Sequence, residues 1–412
     1  MRVLIITQYF PPETGAAQGR LFDLGMRLQG KGMEVSVLTT MPSYPGNRVY
    51  EGYTGLRYLL EEMEGLKVHR TRVYLPRNSH LVYRLLNYLS FVFSAMMAGI
   101  RRVGKVDLII CESPPLFLGF SAVVLKKIKR ARLVFNVSDL WPESALRLGL
   151  VKNRLLIGMS YGLERWIYRH ADFITCQTQG IVADISHRYP KKSILWYPNG
   201  VDAAWIDAHK QNIGWRAANG LSETDFLVYF GGLMGYAQGL DVILDAAMQT
   251  ADNPRIKYIL MGEGPDRKRL EFEMARRKLR NVLFMPGVTK NAVISVIQEI
   301  DAAVIPLKKI DLFLGAIPSK IFEILYLKKP VLLGVAGEAK SLFIDQAQAG
   351  LAFEPENGQD LARKIISLFS DMESGKAMGQ RGSLFVAQYF DRQQSFEKFL
   401  DFISGVSDTR IQ

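Results

Sequence analysis

Only two of the 412 residues are cysteine, Cys111 and Cys176, and only five are histidine. Two thiols cannot build a disulfide framework or a Cys-rich zinc site. His69, His80, His170, His187 and His209 are too dispersed to point to a metal cluster. No Asp-x-Asp pair occurs anywhere, so no metal held by paired carboxylates is expected and none is assigned as a cofactor. Met1 runs directly into the strand-like Val3-Leu4-Ile5-Ile6, so no signal peptide is expected, and with so few thiols a reducing, cytoplasmic location is expected. Low-complexity tracts are missing too: 35 Gly and 17 Pro are scattered through a chain that is 48% apolar and 22% charged. That is the composition of a folded chain, and its length is about two to three times that of one hydrophobic core, so two domains are expected.

The most apolar stretch, residues 85–100, is too short to span a bilayer: sixteen helical residues reach about 24 Å against a hydrocarbon core of roughly 30 Å. Arg84, Asn87, Ser90, Ser94 and Arg101 recur at helical spacing along it. A narrow polar stripe on a broad apolar helix is the pattern of a segment lying in a membrane interface, with Phe91 and Phe93 as apolar anchors and Arg84, Arg101 and Arg102 near the headgroups. The alternative is a crossover helix that buries one face on its own sheet. Charge is one-sided as well. Residues 1–200 hold 27 Lys and Arg against 14 Asp and Glu, a net +13, while residues 201–412 hold 25 against 26. Such asymmetry indicates nucleic acid, an anionic membrane surface or a polyanionic ligand. The basic cluster Lys126, Lys127, Lys129, Arg130 and Arg132, taken with the apolar helix, favours a peripheral membrane surface.

Short β-branched runs alternate with helical stretches from Val3 to Trp196, and again from Phe226 to Phe353, which predicts two doubly wound parallel sheets, an α/β chain of two Rossmann-like domains. Tyr197-Pro198-Asn199-Gly200-Val201-Asp202 breaks the pattern and marks the junction. The expected domains are 1–197, to which a C-terminal helix 390–412 crosses back, and 198–389. Ligands in such folds bind at the carboxyl ends of the strands, here in an expected cleft between the domains.

The loop after the first strand, Tyr9 to Ala17, has Gly15 and Gly19 but not the Gly-x-Gly-x-x-Gly of a dinucleotide site, and the second strand ends Leu38-Thr39-Thr40 without an acid. Gly15 at a helix start still admits an anion; a plain structural turn is the alternative. In the second half, Ile317-Pro318-Ser319-Lys320-Ile321-Phe322-Glu323 opens a predicted helix. Exposed N–H groups and the Lys320 ammonium suit a diphosphate, and Glu323 one turn on suits both ribose hydroxyls. The alternative is a helix cap by Ser319. Gly231-Gly232, Gly262-Glu263-Gly264 and Pro286-Gly287-Val288 follow three further strands.

These residues resemble the bacterial retaining glycosyltransferases of family 4, which have the two-domain GT-B fold. The resemblance runs over nearly the whole chain, through Pro11, Pro12 and Gly15, Pro198 to Asp202, Gly262 to Gly264, Asn281 to Gly287, and Pro318-Ser319-Lys320 with Glu323 and Lys329-Pro330-Val331. Ser138 to Ser144 and Ala237 to Leu240 are similar to O-antigen and capsule amino-sugar transferases of the N-acetyl-L-fucosamine type. The resemblance implies a UDP-sugar donor on the second domain. Glu323 would take the ribose, with Pro318, Ser319, Lys320, Gly15, Arg20 and Gly232 at the diphosphate and the Gly287-Val288 backbone beside the base. It also implies a polyprenyl-diphosphate-linked acceptor at the inner face of the cell membrane and a place in surface-polysaccharide assembly.

Two features depart from that family. The loop Gly232 to Gly239 lacks the Arg and Lys that clamp the diphosphate in many members, and the first Glu of the Glu-x7-Glu pair falls at Gly315. The family's catalytic His has no counterpart, and Asp139 and Glu112 at strand ends take its place as candidates to orient or deprotonate the acceptor. For Asp139 the alternative is an N-cap on a helix from Leu140 to Leu148; for Glu112 it is plain solvent exposure. Two other classes stay open: a GT-B nucleotide-sugar epimerase, and a nucleic-acid-binding protein, for which the basic half offers no interleaved aromatic platforms.

Overall fold

The computed structural model describes all residues except 14, 45, 47, 77–80, 148–152, 212–213 and 406–412, and the side chains of 16, 81, 82, 84, 145, 147 and 312 are not described. Two compact units result, one of residues 1–198 with the chain from Phe396 onward, the other Asn199–Ser395.

In the first unit, β1 (Arg2–Ile6), β2 (Glu34–Thr40), β3 (Tyr58–Met63), β4 (Leu66–Thr71), β5 (Leu108–Ser113), β6 (Arg132–Val137), β7 (Phe173–Cys176) and β8 (Ser193–Trp196) form one sheet. Its order is β3-β4-β2-β1-β5-β6-β7-β8. Every pair is parallel except the β3–β4 hairpin. Glu64 and Gly65 both take positive φ in that hairpin's tight turn, the backbone a two-residue connection needs. The sequence reading missed β3 because Tyr58-Leu59-Leu60-Glu61-Glu62-Met63 is a half-exposed edge rather than a buried β-branched run. Val3, Leu4, Ile5 and Ile6 are buried to within 1%, as a central parallel strand covered on both faces requires.

The second unit's sheet holds β9 (Phe226–Gly231), β10 (Ile256–Met261), β11 (Val282–Met285), β12 (Ala302–Pro306), β13 (Val331–Gly334) and β14 (Gly350–Ala352). They run wholly parallel in the order β11-β10-β9-β12-β13-β14. Each sheet therefore reverses its winding once, at β1/β5 and at β9/β12, and loops at those carboxyl ends diverge and leave room for a ligand.

The last helix, Arg392–Ser404, starts two residues later than the expected 390. Its Phe396, Phe399 and Ile403 recur every three or four residues and sink into the first unit's core with Val3, Ile5, Leu21 and Leu28. Phe390 stays with the second unit, its ring 5.0 Å from that of Phe322 and 5.6 Å from that of Phe343. The Val201 amide donates to the Phe390 carbonyl and the Arg392 amide to the Val201 carbonyl, each at 2.9 Å, so the outgoing and returning chains lie side by side. A Cβ at Gly200 would stand 2.1 Å from the Phe390 oxygen, which is why glycine is required there.

Candidate functional site

The loops after β9, β10 and β11 are stacked backbone on backbone. A Cβ at Gly262, whose φ is +137°, would lie 2.0 Å from the Gly232 oxygen, and one at Gly264 would lie 2.3 Å from the Met234 oxygen. Only glycine permits that approach. Amide hydrogen bonds lace the stack: Gly232 N to Met261 O at 2.9 Å, Met234 N to Glu263 O at 2.8 Å, Gly262 N to Met285 O at 3.1 Å. Arg267 closes it from below, donating through Nη1 to the carbonyls of Gly262 (2.7 Å) and Met285 (3.1 Å) while Glu263 and Glu271 neutralise it. Gly287 and Val288 follow β11 at the end of this stack, and both are exposed.

Lys320 opens the helix Lys320–Tyr326. Its Nζ lies 3.9 Å from the Phe230 ring centroid and 3.3 Å from where a Cβ of Gly232 would be. The residue is half-buried, but its ammonium is enclosed, and burial pushes that group down to about 7. No carboxylate pairs with it among the described residues. Glu323, one turn on, is half-exposed and lies close enough to Tyr229 that its charge, after burial, pushes the tyrosine hydroxyl upward. Ser319 makes no side-chain cap bond, so the capping arrangement weighed from the sequence is not formed. Gly232 thus meets Lys320 and Glu323, some ninety residues later in sequence, beyond the ends of β9 and β12, leaving an uncompensated cation beside exposed backbone. The electrostatics favour an anion there.

In the first unit, Glu112 is 3% exposed, which corrects the expectation of a solvent-exposed carboxylate. Arg20, itself 6% exposed, donates through Nη2 to Glu112 Oε1 at 2.7 Å and to Ser138 Oγ at 3.2 Å. Asn136 donates to Glu112 Oε2 at 2.8 Å, Thr175 donates to Asn136 Oδ1 at 2.7 Å, and the Ser138 hydroxyl donates to Glu112. Both Glu112 oxygens are therefore occupied. Arg20 is engaged within its own unit rather than standing free for a phosphate. Asp139 is different. It is half-exposed and accepts from the Ser144 hydroxyl, and burial pushes its carboxyl up against the opposing pull of that hydroxyl and the Leu140 amide. The helix it was read as capping begins only at Glu143. Gly15 is exposed at the start of Ala16–Gly30 with extended backbone.

A profile of the glycosyl transferase 4-like domain matches residues 15–200, and one of glycosyl transferases group 1 matches residues 212–385. Between them the two matches span most of the chain. It is 27% identical to the putative colanic acid biosynthesis glycosyl transferase WcaI of Escherichia coli K12, over 79% of this chain and 81% of that one. Among solved structures, Anabaena HepE in complex with UDP and glucose shares the fold at a TM-score of 0.72, with 17% identity over 98% of this chain and all of that one. WaaG, a glycosyltransferase of lipopolysaccharide biosynthesis, does so at 0.68 with 16% identity, over 98% of this chain and 100% of that one. The fold is GT-B.

In the first unit the helix Leu81–Arg101 turns its stripe the opposite way from the sequence expectation. Asn87 is buried, accepting from Gln8 at 2.7 Å and donating to the Tyr74 carbonyl at 2.6 Å; Ser90 accepts from the Tyr74 amide, and Ser94 bonds Thr71. Phe91 is a core residue, 0% exposed, and is withdrawn as a membrane anchor. Phe93 is 62% exposed, and Leu86, Leu89 and Ile100 are exposed beside it. Arg101 and Arg102 are exposed at its end, Arg102 lying over the Tyr58 ring, and the Arg84 side chain lies outside the described residues. No helix among the described residues is long and apolar enough to cross a membrane.

The sequence reading passed over Arg70 and Glu13, which hold the first glycine loop. Arg70 is fully buried and donates to the carbonyls of Pro11 and Thr40, and Glu13 accepts from the amides of Ser43 (2.7 Å) and Tyr44 (2.8 Å). No local motif announces such long-range contacts.

Because Glu112 neutralises a buried guanidinium, Glu112→Ala should destabilise the first unit by about 3–5 kcal/mol, as expected when one partner of a buried pair is removed. Asp139→Asn keeps the acceptor for Ser144 and should leave urea unfolding nearly unchanged. Equal midpoints for the two variants would contradict the different roles assigned here.

Proposed function

We propose that this glycosyltransferase moves a sugar, with retention, from a UDP donor to a polyprenyl-diphosphate-linked glycan in surface-polysaccharide assembly. An N-acetylated amino sugar is the donor we favour. The observation that carries the reading is the enclosed, unpaired Lys320 ammonium at the Gly232 backbone with Glu323 one turn away. Lys320 and the loop amides would hold the diphosphate, Glu323 the ribose, and the exposed Gly287-Val288 backbone the base. Support also comes from HepE, solved with UDP and glucose, from WcaI, a putative colanic acid biosynthesis glycosyl transferase, and from WaaG, a glycosyltransferase involved in lipopolysaccharide biosynthesis.

In the reaction the bond from the anomeric carbon to the UDP oxygen breaks, and the acceptor oxygen bonds to that carbon on the same face. The fixed positive charge stabilises the departing diphosphate. Asp139 would orient the acceptor hydroxyl and receive its proton, since Glu112 has no free oxygen to do so. No protein-bound metal is assigned, and transfer is proposed to continue in EDTA. The test is a panel of nucleotide sugars with a short polyprenyl-diphosphate glycan. Transfer with retention, lowered roughly 10²–10⁴-fold in Asp139→Asn with donor binding kept, supports the reading. Epimerised free nucleotide sugar without transfer would overturn it.

The Lys320 ammonium is already charged below about pH 7 and neutral above it. To pair with a diphosphate above that pH it must take up a proton, so UDP affinity should fall as pH rises through 7. Calorimetry in buffers of different ionisation enthalpy should register uptake of up to one proton, absent in Lys320→Met.

We further propose that the protein sits peripherally on the inner face of the cell membrane, through the exposed row Leu86, Leu89, Phe93 and Ile100 and the neighbouring Arg101 and Arg102. Cations contribute about 1 kcal/mol each near an anionic surface and are screened over about 10 Å at 0.1 M salt. Binding to anionic vesicles should therefore weaken with salt. Leu89→Ser with Phe93→Ser should cut it at least about tenfold, given roughly 1.5–3 kcal/mol for each large side chain removed from burial. Undiminished vesicle binding by that variant, in a protein with unchanged melting temperature, would reject this surface.

A further inference from the structure

A nucleoside diphosphate brings two or more negative charges to the end of β9, yet the loop Gly232 to Gly239 contains no Lys, Arg or His. Lys320 alone cannot balance them, so a second cation has to come from another element. Most basic side chains around these strand ends are already committed. Arg267 is neutralised by Glu263 and Glu271, Lys309 by Glu354 at 2.9 Å, Lys340 by Asp345 at 3.1 Å, and Lys290 lies over the Trp205 ring.

Lys308 is not committed. It stands two residues beyond the end of β12 and is half-buried, and its side chain has no ion pair or hydrogen bond among the described residues. Its backbone amide donates to the Ala237 carbonyl at 3.0 Å. Its stem crosses Gly239, where φ is +61° and a Cβ would lie 3.3 Å from Lys308 Cγ. The cation-free loop is therefore bracketed by two unpaired lysines, Lys320 at Gly232 and Lys308 at Ala237 to Gly239. Both come from the segment that follows β12, the neighbour of β9 at the point where the sheet reverses.

We propose that Lys308 is the second phosphate-binding cation of this site, supplied from the end of β12 across the Gly239 turn. This rests on the nucleotide-sugar reading above and adds a residue and a route to it. A flexible four-carbon stem anchored at its base by the Ala237 bond can place an ammonium over the loop without any side chain in the loop itself. Gly239 then has two reasons to be glycine, its left-handed backbone and the Lys308 stem lying against it.

The test is calorimetric binding of UDP and of uridine to the full chain and to Lys308→Met, which keeps the stem, with Lys308→Arg and Lys309→Met beside it. Lys308→Met should weaken UDP at least tenfold and uridine less than twofold, and should lower the salt dependence of UDP binding. Lys308→Arg should recover part of the loss, and Lys309→Met should match the wild type. UDP affinity in Lys308→Met within twofold of the wild type, or an equal loss for uridine, would overturn the assignment. If the wild-type chain binds none of UDP, GDP, dTDP and ADP, the nucleotide-sugar reading itself fails, a result distinct from either.

Discussion

Burial of both faces of two parallel sheets constrains everything else in this molecule. Strands such as Val3–Ile6 and Phe226–Phe230 are apolar on each side because helices cover each side. No polar side chain can work from inside such a layer without a costly desolvation. Chemistry is left to the strand ends, and parallel pairing brings the carboxyl ends of every strand but the antiparallel β3 to one edge of its sheet. Winding that reverses at β1/β5 and β9/β12 opens that edge to a ligand. Every residue given a role in donor binding or proton transfer stands within a loop or first helical turn beyond such an end.

The two edges handle charge in opposite ways. In the first unit the buried Arg20 and Glu112 satisfy one another, with Asn136, Ser138 and Thr175 completing the network. A buried, hydrogen-bonded network of this kind holds shape. In the second unit Lys320 is enclosed against an aromatic face without a carboxylate partner among the described residues, and burial lowers its proton affinity. Glycines at 262 and 264 let the neighbouring loops stack backbone on backbone beside Gly232, against which the ammonium lies.

The helix Leu81–Arg101 shows how tertiary contacts choose between two faces that composition alone leaves equivalent. Asn87, Ser90 and Ser94 find partners in Gln8, Tyr74 and Thr71, and those bonds turn the polar stripe inward. The apolar residues on the far side are then left largely exposed. A water-facing row of Leu86, Leu89, Phe93 and Ile100 is unusual for an isolated soluble surface.

Periodicity and glycine placement were sufficient to read off, from the residues alone, every strand among the described residues except β3, the junction near Pro198 and the glycine loops. These are local properties: burial on both faces demands apolar runs, and tight turns demand glycine. The edge strand β3 escaped because a half-exposed strand carries little of that pattern. Lys320 and Glu323 were legible for the same reason, being three residues apart at a helix start. What tertiary structure alone decided was which charges are spent. Arg20 and Glu112 are separated by 92 residues and Arg70 and Glu61 are paired across a hairpin, while Lys308 acquires its meaning from a loop some seventy residues earlier. A side chain's sequence neighbours do not say whether a counter-ion will be folded against it, because an ion pair depends on separation in space and on the water excluded around it.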